Sequence, residues 1–108
     1  MSNSEIKIQV KSDDNNVPEE IIWSATDGPQ EKKAKAVLLS VWDETEGTMT
    51  INLWNKDMKV DEMKYLFHQT LLTMSQSFER ATGDERMAAT MRDFCDYFAE
   101  KTELKKKG

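Results

Sequence analysis

The sequence predicts an α+β fold, a four-stranded antiparallel β-meander followed by two C-terminal amphipathic helices. Three observations carry this reading. Apolar and polar residues alternate through the first half of the chain, turn-forming clusters fall between those runs, and beyond Lys56 the apolar period lengthens to that of a helix. Because strands and helices are segregated along the chain, the arrangement is α+β and not a parallel α/β sheet.

The first strand spans 4–11, where Ile6, Ile8 and Val10 alternate with Lys7 and Gln9, the pattern of a strand with one buried face. Ser12-Asp13-Asp14-Asn15-Asn16 then offers side chains that bond their own backbone and tolerate a left-handed conformation, and Val17-Pro18 resists helix. A second strand follows over 19–26, from Ile21, Trp23 and Ala25, and Asp27-Gly28-Pro29 stops it. The stretch 31–43 fits two templates. Ala34, Val37, Leu38, Val41 and Trp42 have helical spacing, whereas the run from Ala36 to Trp42 fits a strand buried on both faces. Strand is favoured, because Asp43-Glu44-Thr45-Glu46-Gly47 has hairpin-turn chemistry and Met49, Ile51 and Leu53 then alternate with polar residues, giving a 35–43/48–55 hairpin. Lys32, Lys33 and Ala34 would begin that third strand or form a short turn before it.

At 100° per residue, Val60, Met63, Phe67, Thr70, Leu71, Met74 and Phe78 share an arc of roughly 100°, which predicts an amphipathic helix over 60–81. Gly83 is its stop and Asp84 the cap of a second helix, with Met87, Met91, Phe94 and Phe98 on its apolar face, ending near Glu103.

A chain of 108 residues has the size of one domain, expected over 1–104 with a basic tail at 105–108. Asp and Glu outnumber Lys and Arg by 20 to 15, for a net charge of −5, so the field of the chain repels phosphate and anionic lipid. Nucleic acid is not an expected partner. The single cysteine, Cys95, leaves no intramolecular disulfide, the N-terminal residues lack the apolar core of a signal peptide, and no window reaches the ~18 apolar residues of a membrane span. These features point to a cytoplasmic protein without membrane insertion.

Candidate chemistry is sparse. His68 is the only histidine, so imidazole-based triads and two-histidine metal sites cannot be assembled within one chain, and it reads as a boundary residue at the margin of the helical apolar face. Cys95, beside Phe94 and with Arg92 its nearest cation in sequence, reads as a small buried hydrophobe. Asp61, Glu62, Asp93 and Asp96 read as solvated helix flanks. Met58, Met63, Met74, Met87 and Met91 could line an adaptable groove, but thioethers at helical spacing are more often core. No cofactor and no catalytic or metal site is expected. One feature is less easily absorbed: Tyr65, His68 and Leu72 form a minor seam away from the main stripe of the first helix. It is either a surface for a second subunit or another protein, or the mark of a helix set deep between other elements.

The segments Ser4–Val10, Leu38–Asp43, Ile51–Met58, Val60–Lys64 and Asp93–Lys101 resemble the family of the gliding motility protein GldC of Bacteroidetes, over nearly the whole chain and with matching spacing between segments. The resemblance implies an accessory protein of gliding motility, tied to that phylum's secretion machinery, and brings no catalytic residue, cofactor or ligand. The leading expectation is therefore a non-catalytic interaction or assembly factor for that machinery, with the 65/68/72 seam or a sheet face as its docking surface and self-association into a homo-oligomer as one use of it. A chaperone-like module holding extended polypeptides is the alternative, on the fold-level likeness of four strands then two helices to the secretion chaperone SecB. An enzyme is the least expected.

Overall fold

The computed structural model describes residues 3–28 and 30–104, so the basic tail expected at 105–108 lies outside the described residues. The chain divides into two compact units, Met1–Met58 carrying the strands and Lys59–Gly108 carrying the helices. Among the described residues the strand unit has five strands: β1 (Ile6–Ser12), β2 (Pro18–Ala25), β3 (Lys32–Ala34), β4 (Ala36–Asp43) and β5 (Gly47–Trp54). They form a three-stranded antiparallel sheet in the order β1-β2-β3 and a separate antiparallel pair β4-β5.

The ambiguous stretch 31–43 is thus extended, but the single four-stranded meander is not what forms. The expected third strand is broken at Lys35, with Lys32–Ala34 bonded to β2 and Ala36–Asp43 bonded to β5. The ladder explains the break. Continuing the register Ile21↔Ala34 would set Ala36 and Val37 against Glu19 and Pro18, and Pro18 has no N–H to give. At the break the Asn55 N–H donates to the Lys35 carbonyl at 2.8 Å, so β5 takes over where β2 ends.

The β1-β2 and β4-β5 hairpins are each closed by an aspartate. Asp13 Oδ1 accepts from the Asn15 and Val17 N–H groups at 2.8 and 3.0 Å, with Asn16 left-handed at φ 61°. Asp43 Oδ1 accepts from Thr45 and Glu46 at 2.7 and 3.1 Å, with Gly47 at φ 79°. A carboxylate that ties down two amides replaces the backbone bonds the turn cannot make. Asp13 has a third partner, the Lys56 ammonium, which also reaches Glu19 at 3.5 Å and so links the first hairpin to the end of β5.

Cross-strand pairing places the apolar residues on common faces. Ile8 lies opposite Trp23 and Val10 opposite Ile21, while Val37, Leu39 and Val41 face Leu53, Ile51 and Met49. Ile21 alone is fully buried among them. The buried face expected of the first strand is instead open: Ile6 is 75% exposed and Ile8 and Val10 are above one-third. Alternation shows which face is apolar, and something outside β1 must cover it for burial to follow.

In the second unit, α1 (Val60–Thr82) and α2 (Glu85–Lys101) match the expected helices closely. The Glu62 carboxylate accepts from the Lys59 N–H at 3.0 Å across the first turn of α1. Gly83, at φ 74°, ends α1 with its N–H on the Glu79 carbonyl, and the Asp84 carboxylate accepts from the Met87 N–H at 2.9 Å to start α2. Such a cap is worth about 1 kcal/mol. A two-residue connection makes the helices antiparallel neighbours. Along their contact the fully buried side chains are small, Ser75, Ala88 and Cys95, and the Ser75 hydroxyl donates to the Leu72 carbonyl at 2.6 Å. Arg92 pairs with Glu79 at 3.1 Å across the helices, a half-exposed bond worth at most about 1 kcal/mol.

The Lys56 ammonium, reinforced by the Val17 N–H, pulls the Asp13 carboxyl down to about 2. A depressed carboxylate contributes stability that is fully present above its unfolded value and is lost as pH falls through the folded one, here between about pH 4 and pH 2. Carboxyl-carbon NMR titration is expected to place the Asp13 midpoint near 2 in the native chain and nearer its ordinary value in Lys56→Met. A native midpoint close to 4 would refute the linkage.

Candidate interaction surfaces

The residues singled out in the sequence fall at three places in the helical unit. His68 stacks on Phe98 of α2, ring centroids 6.3 Å apart, and is half-buried. Tyr65 and Leu72 are half-buried on the same line of α1, which continues at 3- and 4-residue spacing through the buried Ser75 to Glu79, the partner of Arg92. The seam is therefore the side of α1 turned toward α2. The signal that identifies it lies in small residues: Ser75 on α1, and Ala88 and Cys95 seven apart on α2, let the helices approach closely.

The main apolar stripe of α1 is open only in part, with Met63, Leu71 and Phe78 half-buried like the seam. Val60, Phe67 and Met74, each seven residues apart on α1, are 74%, 43% and 52% exposed, and Met87, Phe94 and Tyr97 of α2 are about half exposed. A shallow hollow of about 270 Å³ lies on this unit, lined by Val60, Met63, Lys64, Phe67 and Phe98, with Phe94 tilted against Phe98 at 6.4 Å. Of the methionines weighed as core or as an adaptable groove, Met74 and Met87 are open while Met63 and Met91 are half-buried.

Two of the strand unit's concavities differ in lining. One, about 350 Å³, is mixed in polarity, with Glu5, Lys7, Ser24, Thr26, Gln30 and Glu31 around Ala25. The other, about 470 Å³, is apolar: Ile6, Ile8 and Val10 of β1 form one wall, and Val37 and Leu39 of β4 with Ile51 and Leu53 of β5 the other. The open aliphatic residues of this face, including Val41 and Met49, leave on the order of 600 Å² of surface to solvent, the upper end for a monomer and close to one partner's share of a standard interface.

Among the described residues no group of three or more His, Cys, Asp or Glu side chains could hold a metal ion, and no helix is long and apolar enough to cross a membrane. Cys95 is 2% exposed, and its burial, with Asp96 alongside, pushes the thiol above its ordinary value, the reverse of what a nucleophile needs. At pH 7.5 a chromogenic disulfide reagent is expected to find no reactive thiol in the folded chain and one per chain in denaturant; prompt native reaction would show that Cys95 is reachable.

The chain was compared with protein families, curated proteins and solved structures. No curated protein and no solved structure matches it. A family model described as gliding motility-associated protein GldC-like matches residues 18–104, from the start of β2 to beyond α2. The chain belongs to the GldC-like family of gliding motility-associated proteins.

Proposed function

We propose that this chain is a non-catalytic, cytoplasmic accessory protein of gliding motility that docks a protein partner of the gliding or secretion machinery. The observation that carries the reading is the open stripe Val60, Phe67 and Met74 with the hollow beside it, in a family named for motility. Large side chains at heptad spacing form a ridge about 20 Å long that a partner helix can follow. The neighbouring Tyr65, His68 and Leu72 support this ridge from the α2 side, and Tyr65 can contribute at its edge.

A second reading, a holder of extended polypeptides, is favoured by the apolar groove between β1 and the β4-β5 pair. It requires similar affinity for several unrelated unfolded chains.

The test is affinity capture from a gliding bacterium with Phe67→Glu/Met74→Glu and Tyr65→Glu/Leu72→Glu variants beside the native chain. The first pair is expected to lose a specific partner at least tenfold while keeping its helical circular dichroism, and the second to lose helicity. Retention of the partner by a folded Phe67→Glu/Met74→Glu protein would refute the proposed surface, and capture of many unfolded chains in place of one partner would select the second reading.

A further inference from the structure

β1 is the outer strand of its sheet, and among the described residues no backbone group pairs with its free edge. It runs seven residues without proline, and every one of them is exposed. A long, apolar, unprotected edge is normally avoided, because it is a template for another strand. Of the usual blocks this edge carries two lysines, Lys7 and Lys11, but no proline, and its register shift falls only at the end, between Lys11 and Ser12.

The direction of its free hydrogen-bonding groups can be read from the pairing with β2. The Glu5 carbonyl accepts from the Thr26 N–H at 3.0 Å, so residue 5 turns its backbone toward β2. In an antiparallel ladder that direction alternates, so Ile6, Ile8 and Val10 present their N–H and C=O groups outward. An antiparallel strand added here must bring outward groups to outward groups.

We propose that the strand occupying this edge is β1 of a second copy of the chain, paired antiparallel about a two-fold axis at Ile8. In that register Ile8 faces its own copy, Ile6 faces Val10, Lys7 faces Gln9 and Glu5 faces Lys11, each pair occurring on both sides of the axis. Ile6, Ile8 and Val10 gain aliphatic neighbours on the open face. Glu5 and Lys11 meet as opposite charges at a non-hydrogen-bonded position, where side chains approach most closely. Slipping by two residues in one direction sets Lys7 against Lys7, and in the other sets Lys7 against Lys11 twice; both juxtapose like charges, which destabilise a cross-strand pair. Among these three registers the edge is self-complementary in hydrogen bonding, apolar face and charge only about Ile8. The pairing joins two three-stranded sheets into one of six strands and uses none of the helical ridge proposed for a motility partner.

Sedimentation equilibrium of the full chain is expected to give twice the 12.5 kDa chain mass; a chain that stays at 12.5 kDa at tens of micromolar overturns the proposal. Lys11→Glu and Glu5→Lys are each expected to weaken the dimer about tenfold, and the double variant, which restores opposite charges, to recover native affinity. A double variant no tighter than either single change overturns the register. Under mild oxidation Ile8→Cys is expected to form a covalent dimer through position 8, whereas Ile6→Cys, four residues from its own copy, does not. A native dimer in which Ile8→Cys fails to cross-link would place the interface elsewhere.

Discussion

Small side chains hold the two helices together, and the distribution of the remaining apolar surface follows from that. Ser75, Ala88 and Cys95 occupy the line of closest approach, where bulkier residues would force the axes apart. With the contact taken by small groups, Val60, Phe67 and Met74 have no place between the helices and lie outside it. A buried serine is tolerated because its hydroxyl returns to the Leu72 carbonyl, and among the described residues no buried side-chain polar atom lacks a partner. The helical unit thereby has few fully buried side chains, all of them small, and several large apolar ones that are exposed.

The strand unit shows the same economy through backbone geometry. Lys35 is the point at which the chain exchanges one partner strand for another, and Asn55 completes the exchange by bonding to its carbonyl. Ile21, opposite both Val10 and Ala34, is the one large apolar side chain fully buried among the described residues of this unit. Lys56 secures the unit at its end by joining Asp13 and Glu19, so the first turn and the last strand share a cation.

Local signals were legible in the sequence and non-local ones were not. The hairpin turns at Asp13 and Asp43, the stop at Gly83 and the cap at Asp84 depend on residues within four positions of one another, and each lies where turn and cap chemistry place it. The break at Lys35 depends on Pro18, seventeen residues away, failing to extend a ladder, which no local pattern records. Alternation in β1 identified the apolar face of the strand, yet whether that face is covered depends on what packs over it. On α1, the sequence left 65, 68 and 72 as either a contact surface or the mark of a deep-set helix; His68 stacks on Phe98 of α2, while Val60, Phe67 and Met74 of the main stripe are open, and the marker of close approach is the smallness of residues such as Ser75. Metal and cofactor sites were not expected from the residues, and the process the chain belongs to became legible through family resemblance, not through chemistry.

The order of pairing has a kinetic consequence. β1 pairs with β2, β2 with β3, β4 with β5 and α1 with α2, so nearly every element finds its partner in the next stretch of chain. Chains dominated by such local contacts have low contact order and close only short loops on the way to the native state, which places their folding toward the fast end of the range for small proteins. On a ribosome adding residues from the N-terminus, each hairpin can close as soon as its second arm emerges, and the open edge of β1 is presented before the helices have been made.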